Sequence, residues 1–239
     1  MAKTLLAFLG SVLLFLFSSC KKEMDVPSYV FIPKINVSGD YSLSGSDSSK
    51  IYGAKVFLNN QLIGVYQTPV EIPVFATGDQ IIKTIALVAR NGSSQDRISY
   101  PYYQVSESNV FLSRDSTSNL IPTVNYFPST VADYWFEDFS GPGISFDTTS
   151  ESTANLVITT NPDEVYEPSG SGKFELDSET AYIKALTNKN FIYKTNTKVF
   201  VEINYKNNQP FFFDIIIHEI TGQSFKIQFF MFNNTIDEN

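Results

Sequence analysis

The sequence predicts an all-β protein built as two β-sandwich domains that follow an N-terminal leader. Three observations favour this class. Apolar residues come in short runs without a 3.6-residue periodicity. Strand-forming aromatic residues are abundant, with 21 Phe and 13 Tyr. Clusters of Asn, Gly, Ser and Pro separate the runs, as turns separate the strands of sandwich proteins.

The leader has the layout of an export signal. Lys3 gives a positive start, residues 5–17 are apolar or small, and two serines precede the only cysteine, Cys20. The apolar run is too short to span a bilayer. A cysteine at this place resembles the lipobox of bacterial lipoproteins, with Phe17 where Leu is usual. The resemblance implies cleavage of residues 1–19 and lipidation of Cys20. The alternative is an ordinary export signal that leaves a free thiol.

Residues 20–28 comprise Cys20 and a polar tether that begins with charged residues. Charges at this place resemble the sorting signal that takes lipoproteins to the cell surface in Bacteroidota-type bacteria. The resemblance implies an outer-membrane protein held by its lipid, either at the cell surface or facing the periplasm. Because one cysteine allows no intrachain disulfide, the fold must depend on its core.

The charge balance argues against one class of partner. The chain has 17 Lys and Arg against 25 Asp and Glu, which gives a formal net charge of −8. Proteins that bind nucleic acid need basic patches, so we expect no nucleic acid partner. An acidic surface is compatible with cation binding, and it also keeps an exported protein soluble.

The first predicted domain is residues 29–128. Its clearest element is a hairpin in which strands 54–58 and 61–66 flank Asn59 and Asn60, a pair that tolerates the positive φ of a tight primed turn. Residues 38–50 are rich in Ser, Gly and Asp, and we expect them to form a loop. Further strands are predicted at 29–33, 70–75, 84–90, 98–103 and 109–112.

Residues 55–64, with Thr68-Pro69 after them, resemble a PEGA-type, immunoglobulin-like module. Asn60 stands where such modules usually have Gly. The order of lipobox, this module and a later Glu137-Asp-Phe139 segment also resembles lipoproteins of Bacteroidota-type bacteria. Both resemblances are structural, and they imply no catalytic activity.

The second predicted domain is residues 129–239, after a boundary marked by Pro122 and Pro128. Residues 211–217 are apolar on both faces except at Asp214, a pattern typical of a central strand between two layers. Strands are predicted at 156–159, 173–176, 181–186, 197–205, 210–220 and 224–232.

Residues 135–232 resemble a jelly-roll domain of the galactose-binding or carbohydrate-module type. The resemblance rests on the acidic-aromatic opening at 137–139, the Ser-Gly-Ser-Gly-Lys turn at 169–173 and the segment 201–211. It implies a binding face for a glycan. We count six or seven strands where a jelly roll has eight. The domain is therefore expected to be truncated at its C-terminus, unless the opening segment supplies the missing strand.

Four aromatic residues are candidates for a platform on which a sugar ring stacks: Trp135, Tyr100, Tyr102 and Tyr103. Exposed aromatic rings in a shallow groove are suited to this chemistry. Aromatic residues of sandwich proteins also fill cores, and the sequence leaves both interpretations open.

Three acidic residues near Trp135 are candidate ligands of a structural calcium: Asp133, Glu137 and Asp138. Calcium takes six to eight oxygen ligands, and carboxylates supply them. The jelly-roll resemblance also suggests a structural calcium. The alternative is a chance cluster of surface acids.

No pattern in the sequence predicts catalysis. His218 is the only histidine, and Asp214 lies on the same predicted strand about 13 Å away, too far for a hydrogen bond. No nucleophile-elbow motif is present in the sequence. We therefore expect a non-catalytic lipoprotein that binds a glycan or a protein partner through its β domains. The alternatives are a structural component of an envelope, secretion or motility assembly, and a hydrolase or accessory of carbohydrate-active enzymes.

Overall fold

The structure, a computed structural model, describes residues 26–47, 49–90, 92–129, 135–166, 170–194 and 196–235. It is nearly all β with several sheets, as the sequence predicts. The chain forms two compact units. Unit 1 comprises the chain up to Ser38 and Asp47–Phe127, and unit 2 comprises Gly39–Ser46 and Pro128 onward. The leader, Cys20, most of the tether and Asp133 lie outside the described residues.

Unit 1 contains two main sheets. One has the strand order β5-β1-β9, and the other has the order β4-β3-β6-β7 with β8 also paired to β6. Strands β2 and β10 form a short parallel pair. The strands are β1 (Ser28–Ile32), β2 (Asn36–Val37), β3 (Ile51–Leu58), β4 (Gln61–Gln67), β5 (Val70–Val74), β6 (Gly78–Arg90), β7 (Ser93–Ser99), β8 (Ser106–Leu112), β9 (Thr117–Asn119) and β10 (Thr123–Val124).

The predicted hairpin of unit 1 is confirmed. Strands β3 and β4 pair antiparallel across Asn59 and Asn60, whose φ angles are 47° and 70°. Positive φ at both central residues is what a primed turn requires. The Asn59 side chain also accepts a hydrogen bond from the backbone N–H of Ile81 at 3.0 Å, so the turn is tied to the neighbouring strand β6.

Alternation along the strands builds the core of unit 1. On β6, Ile82, Thr84 and Ala86 are buried, and the residues between them point away from the core. Strand β1 buries Val30 and Ile32 in the same way. Each main sheet thus presents one apolar face to the interior and the other face to solvent, as in a sandwich.

Several predicted element bounds are wrong. Strand β6 begins six residues before the predicted start at 84, because residues 78–83 find a partner in β8. The predicted strand 98–103 ends at Ser99, just before Pro101. The predicted loop 38–50 contains a one-turn helix, α1 (Tyr41–Ser44), whose first turn is capped by the Asp40 carboxylate.

The described part of unit 2 consists of three separate two-stranded antiparallel sheets. They are β11 (Phe146–Thr148) with β14 (Ala185–Thr187), β12 (Val157–Thr159) with β13 (Ser171–Lys173), and β15 (Phe211–His218) with β16 (Ser224–Phe232). The predicted strand 197–205 is wrong, because this segment joins no ladder and its alternate apolar residues are exposed. The jelly-roll and immunoglobulin-like assignments stay predictions.

The core of unit 1 is open to a stability test. Ile82→Ala removes a fully buried side chain, and we expect it to lower the free energy of unfolding by about 2–5 kcal/mol. Ile121→Ala is the matched control, because that isoleucine is exposed and its loss should cost no more than about 0.5 kcal/mol. Urea unfolding followed by circular dichroism measures both. Equal costs for the two variants would contradict the burial pattern.

Candidate binding surfaces

Two of the four candidate platform aromatics belong to the core of unit 1. Tyr100 and Tyr103 are each only 6% exposed. The ring of Tyr103 lies 4.6 Å from Tyr100 and 4.8 Å from Tyr126. The half-buried ring of Tyr102 contacts Tyr100 edge to face at 5.5 Å. Because the rings cover one another, Tyr100 and Tyr103 present little free ring surface, and the sugar platform stays a prediction.

Trp135, the fourth candidate, belongs to unit 2. It is half-buried, and its ring lies 5.3 Å from Phe191 and 6.4 Å from Phe146. Phe146 in turn stacks with Phe139 at 6.3 Å. The indole therefore packs inside an aromatic cluster of its own unit, so its ring is largely engaged by neighbouring side chains.

The acidic residues of the predicted calcium site brace a loop. Glu137 accepts hydrogen bonds from the backbone N–H of Phe139 at 2.8 Å and of Ser145 at 2.7 Å. Asp138 accepts from the N–H and hydroxyl of Ser140 and from the Tyr41 hydroxyl. Among the residues that the structure describes, no group of three His, Cys, Asp or Glu is placed to hold a metal ion.

Asp138 sits in an environment that favours its ionised form. Partial burial acts to raise the pKa of this carboxyl. The hydrogen bonds from Ser140 and Tyr41 outweigh burial and hold the pKa below its usual value.

His218 has a neighbour that sequence reasoning missed. Its Nδ1 lies 2.7 Å from the Ser224 hydroxyl, because the two residues are opposite each other in the β15–β16 ladder. Asp214 instead accepts a hydrogen bond from Lys226 at 2.9 Å. Both His218 and Ser224 are exposed at the hairpin tip, so nothing there excludes water from the pair.

Unit 2 also has a shallow depression of about 320 Å³. One of its walls carries Lys173, whose ammonium contacts Glu164 at 2.6 Å and Glu175 at 2.8 Å. Hydrogen bonds to these two carboxylates raise the pKa of Lys173. The depression is lined by Thr153, Ala154, Asn155, Val157, Lys173, Phe174, Glu175, Asp177 and Thr180.

The β15–β16 pair, here called the apolar hairpin, exposes large side chains. Cross-strand partners such as Ile217 and Phe225 lie on the same side of a sheet. On that side Ile217, Phe225 and Ile227 are 37%, 42% and 42% exposed. On the other side Phe212 and Met231, also cross-strand partners, are exposed. Within the described residues, neither strand has a second strand partner.

The outer face of the five-stranded sheet in unit 1, here called the outer sheet face, is also apolar and exposed. Leu62 and Val65 on β4 are 52% and 58% exposed, and Phe111 on β8 is 64% exposed. Between them lies the ion pair of Lys83 and Glu107 at 2.9 Å. The alternation of side chains along these strands is visible in the sequence. It does not show which side of the sheet stays exposed.

Comparisons of the chain with protein families, curated proteins and solved structures find no match. Within the part of the chain that the structure describes, no helix is long and apolar enough to cross a membrane.

The environment of Asp138 predicts a pH dependence. A carboxyl whose pKa is lowered by folding adds stability above its unfolded pKa of about 3.9, and this stability is lost as the pH falls through the folded value. The difference in unfolding free energy between the native chain and Asp138→Asn should therefore be largest near neutral pH and shrink in acid. Urea unfolding followed by the fluorescence of Trp135, the only tryptophan, measures it.

Ser140→Ala serves as the companion variant, because it removes one hydrogen bond to Asp138 and keeps the carboxyl. It should move the acid transition to higher pH. A stability difference for Asp138→Asn that is constant with pH would contradict the assignment.

Proposed function

We propose that this protein is a non-catalytic lipoprotein of the bacterial outer membrane that holds a protein partner through the apolar hairpin, as a component of an envelope assembly. The observation that carries the proposal is the exposure of large apolar side chains on both sides of this hairpin. Soluble monomers rarely expose contiguous apolar patches of this kind unless the patches bind something.

The chemistry of the hairpin favours protein over sugar. The facing pairs Ile215–Ile227 and Ile217–Phe225 offer no hydrogen-bonding side chain. Sugar hydroxyls need such groups, whereas an apolar protein surface needs only shape and area. Glycan binding is the second candidate, and it would use the depression beside Phe174. It ranks second because the charged groups of Lys173 and Asp177 there are already bound within the chain.

The hairpin also suggests how a partner would bind. Residues 211–217 have the two-sided apolar pattern of a central strand, yet both strands of the hairpin are edges among the described residues. An extended segment of a partner can pair its backbone with such an edge. The body of the partner would then cover the side of the hairpin on which Ile217, Phe225 and Ile227 lie.

The membrane attachment is part of the same proposal. It is supported by the lipobox-like sequence that ends in Cys20 and by the polar residues after it. Stable attachment requires more than one acyl chain, which lipoprotein processing at an N-terminal cysteine would supply. The lipid would fix one end of the chain, and the two β units would lie beyond the tether.

Removal of the lipidated cysteine tests the anchor. Cys20→Ala should move the protein from the membrane fraction to the soluble fraction, because no acyl chain can then be attached. Circular dichroism should be unchanged, since Cys20 lies before Val26, the first residue that the structure describes. Met24→Ala, in the tether, is the control that should still pellet with membranes. Continued pelleting of Cys20→Ala with membranes would contradict the proposal that a lipid on Cys20 attaches the protein.

A photo-reactive residue on the hairpin tests the partner. Placed at Phe225 in the cell envelope, it should cross-link to one protein, and placed at Gln228 on the other side it should do so weakly. The cross-linked protein is then purified and its binding measured by calorimetry. Ile227→Asp should weaken that binding by about tenfold or more, because it puts a charge into the buried face.

Ser224→Asp is the matched control on the same strand, because Ser224 lies on the other side and opposite His218. We expect its affinity to stay close to that of the native chain. Equal cross-linking from both positions, or full affinity of Ile227→Asp, would overturn the hairpin as the binding surface.

A further inference from the structure

The outer sheet face of unit 1 is a second exposed surface, and it does not depend on the function proposed for the hairpin. We propose that this face packs against the same face of a second copy of the chain and forms a two-fold symmetric dimer. The argument rests on which residues the strands turn outward, on where the charges lie and on how large the face is.

The period of the strands defines the face. Ile82, Thr84 and Ala86 point into the core, so Ile81, Lys83 and Ile85 point outward. Their neighbours on β3 are Phe57, opposite Lys83, and Lys55, opposite Ile85. On the other side, β8 places Glu107, Asn109 and Phe111 opposite Lys83, Ile81 and Asp79. The outer sheet face is thus mainly apolar and contains a few charged side chains.

Two of these charges are far apart and lack ion-pair partners among the described residues: Lys55 and Asp79. Lys55 lies beside Ile85, which is six residues from Asp79 along β6. At about 3.3 Å per residue, the two charges are roughly 20 Å apart and cannot pair within one chain. They sit at opposite ends of the face, one positive and one negative.

A two-fold axis in the plane of the sheet and across its strands makes the face complementary to itself. It places Lys55 of each copy over Asp79 of the other, which forms two ion pairs. The neutral pair Lys83–Glu107 falls near the axis. Phe111, near the end of β8, then packs close to the exposed Val105 that directly precedes β8 in the other copy.

The size of the face sets the strength of the dimer. Four strands about 4.8 Å apart and about seven residues long cover roughly 400 Å² per copy. Standard interfaces bury about 800 Å² per partner, so the dimer should be weak and should depend on concentration. Two chains anchored in one membrane would meet at a far higher effective concentration than they would in solution.

Sedimentation of the chain carrying Cys20→Ala, without detergent, tests the dimer. We expect a monomer–dimer equilibrium in the micromolar range. Lys55→Glu and Asp79→Lys, each alone, place like charges in contact twice per dimer and should weaken association by about tenfold or more. Equal thermal unfolding of the variants checks that the fold is kept.

Mixing the two variants gives the sharper result. A dimer of one Lys55→Glu chain and one Asp79→Lys chain has one native and one reversed ion pair, so it should regain native affinity. Fluorescence-detected sedimentation with one variant labelled measures the affinity of this mixed dimer. The proposal would be overturned by a chain that stays monomeric at all concentrations. It would also be overturned by a dimer whose dissociation constant is unchanged by both charge reversals.

A variant of the apolar hairpin distinguishes the two surfaces in the same experiment. Ile227→Asp should leave the dimer unchanged, because Ile227 lies in unit 2. Loss of the dimer with Ile227→Asp but not with the charge reversals would assign self-association to the hairpin and refute the outer sheet face.

Discussion

Strand β6 is the element on which unit 1 depends, because it forms hydrogen-bonded ladders with three other strands. Its first half pairs with β8, its last residues with β7, and its middle with β3 on the opposite edge. The alternation of inward and outward residues from Asp79 to Ala86 therefore sets the core and the outer face together. A shift of register by one residue would exchange the two faces, so burial of one fixes exposure of the other.

Unit 2 depends less on strand pairing than unit 1 and more on hydrogen bonds within its loops. Its described strands pair only in twos, and two-stranded sheets are marginal unless something packs on their faces. Much of its order comes from loops tied by side chains, as where Glu137 and Asp138 bind backbone and hydroxyl groups. The apolar hairpin remains with uncovered Ile and Phe side chains. A unit of this kind gains more from a binding partner than one whose sheets are already complete.

The two units therefore bring different surfaces to one chain. Unit 1 offers a rigid sheet whose outward residues mix apolar groups with charges of both signs, which suits weak and specific contact. Unit 2 offers a hairpin with no charge on its Ile and Phe side, which suits burial in a partner. The net charge of −8 disfavours non-specific self-association of the chain. Complementary charges at the outer sheet face would therefore contribute more to the stability of a dimer than buried area alone.

The sequence by itself determined the all-β class, the β3–β4 hairpin with its Asn59-Asn60 turn, and the two-sided apolar pattern of residues 211–217. These follow from local rules, namely residue period and turn conformation. Only the tertiary structure decided which aromatic rings are buried, as with Tyr100 and Tyr103, and that residues 197–205 form no strand. It also brought Ser224 to His218. Such outcomes depend on which backbone finds a partner and which face is covered, and no local pattern carries that information.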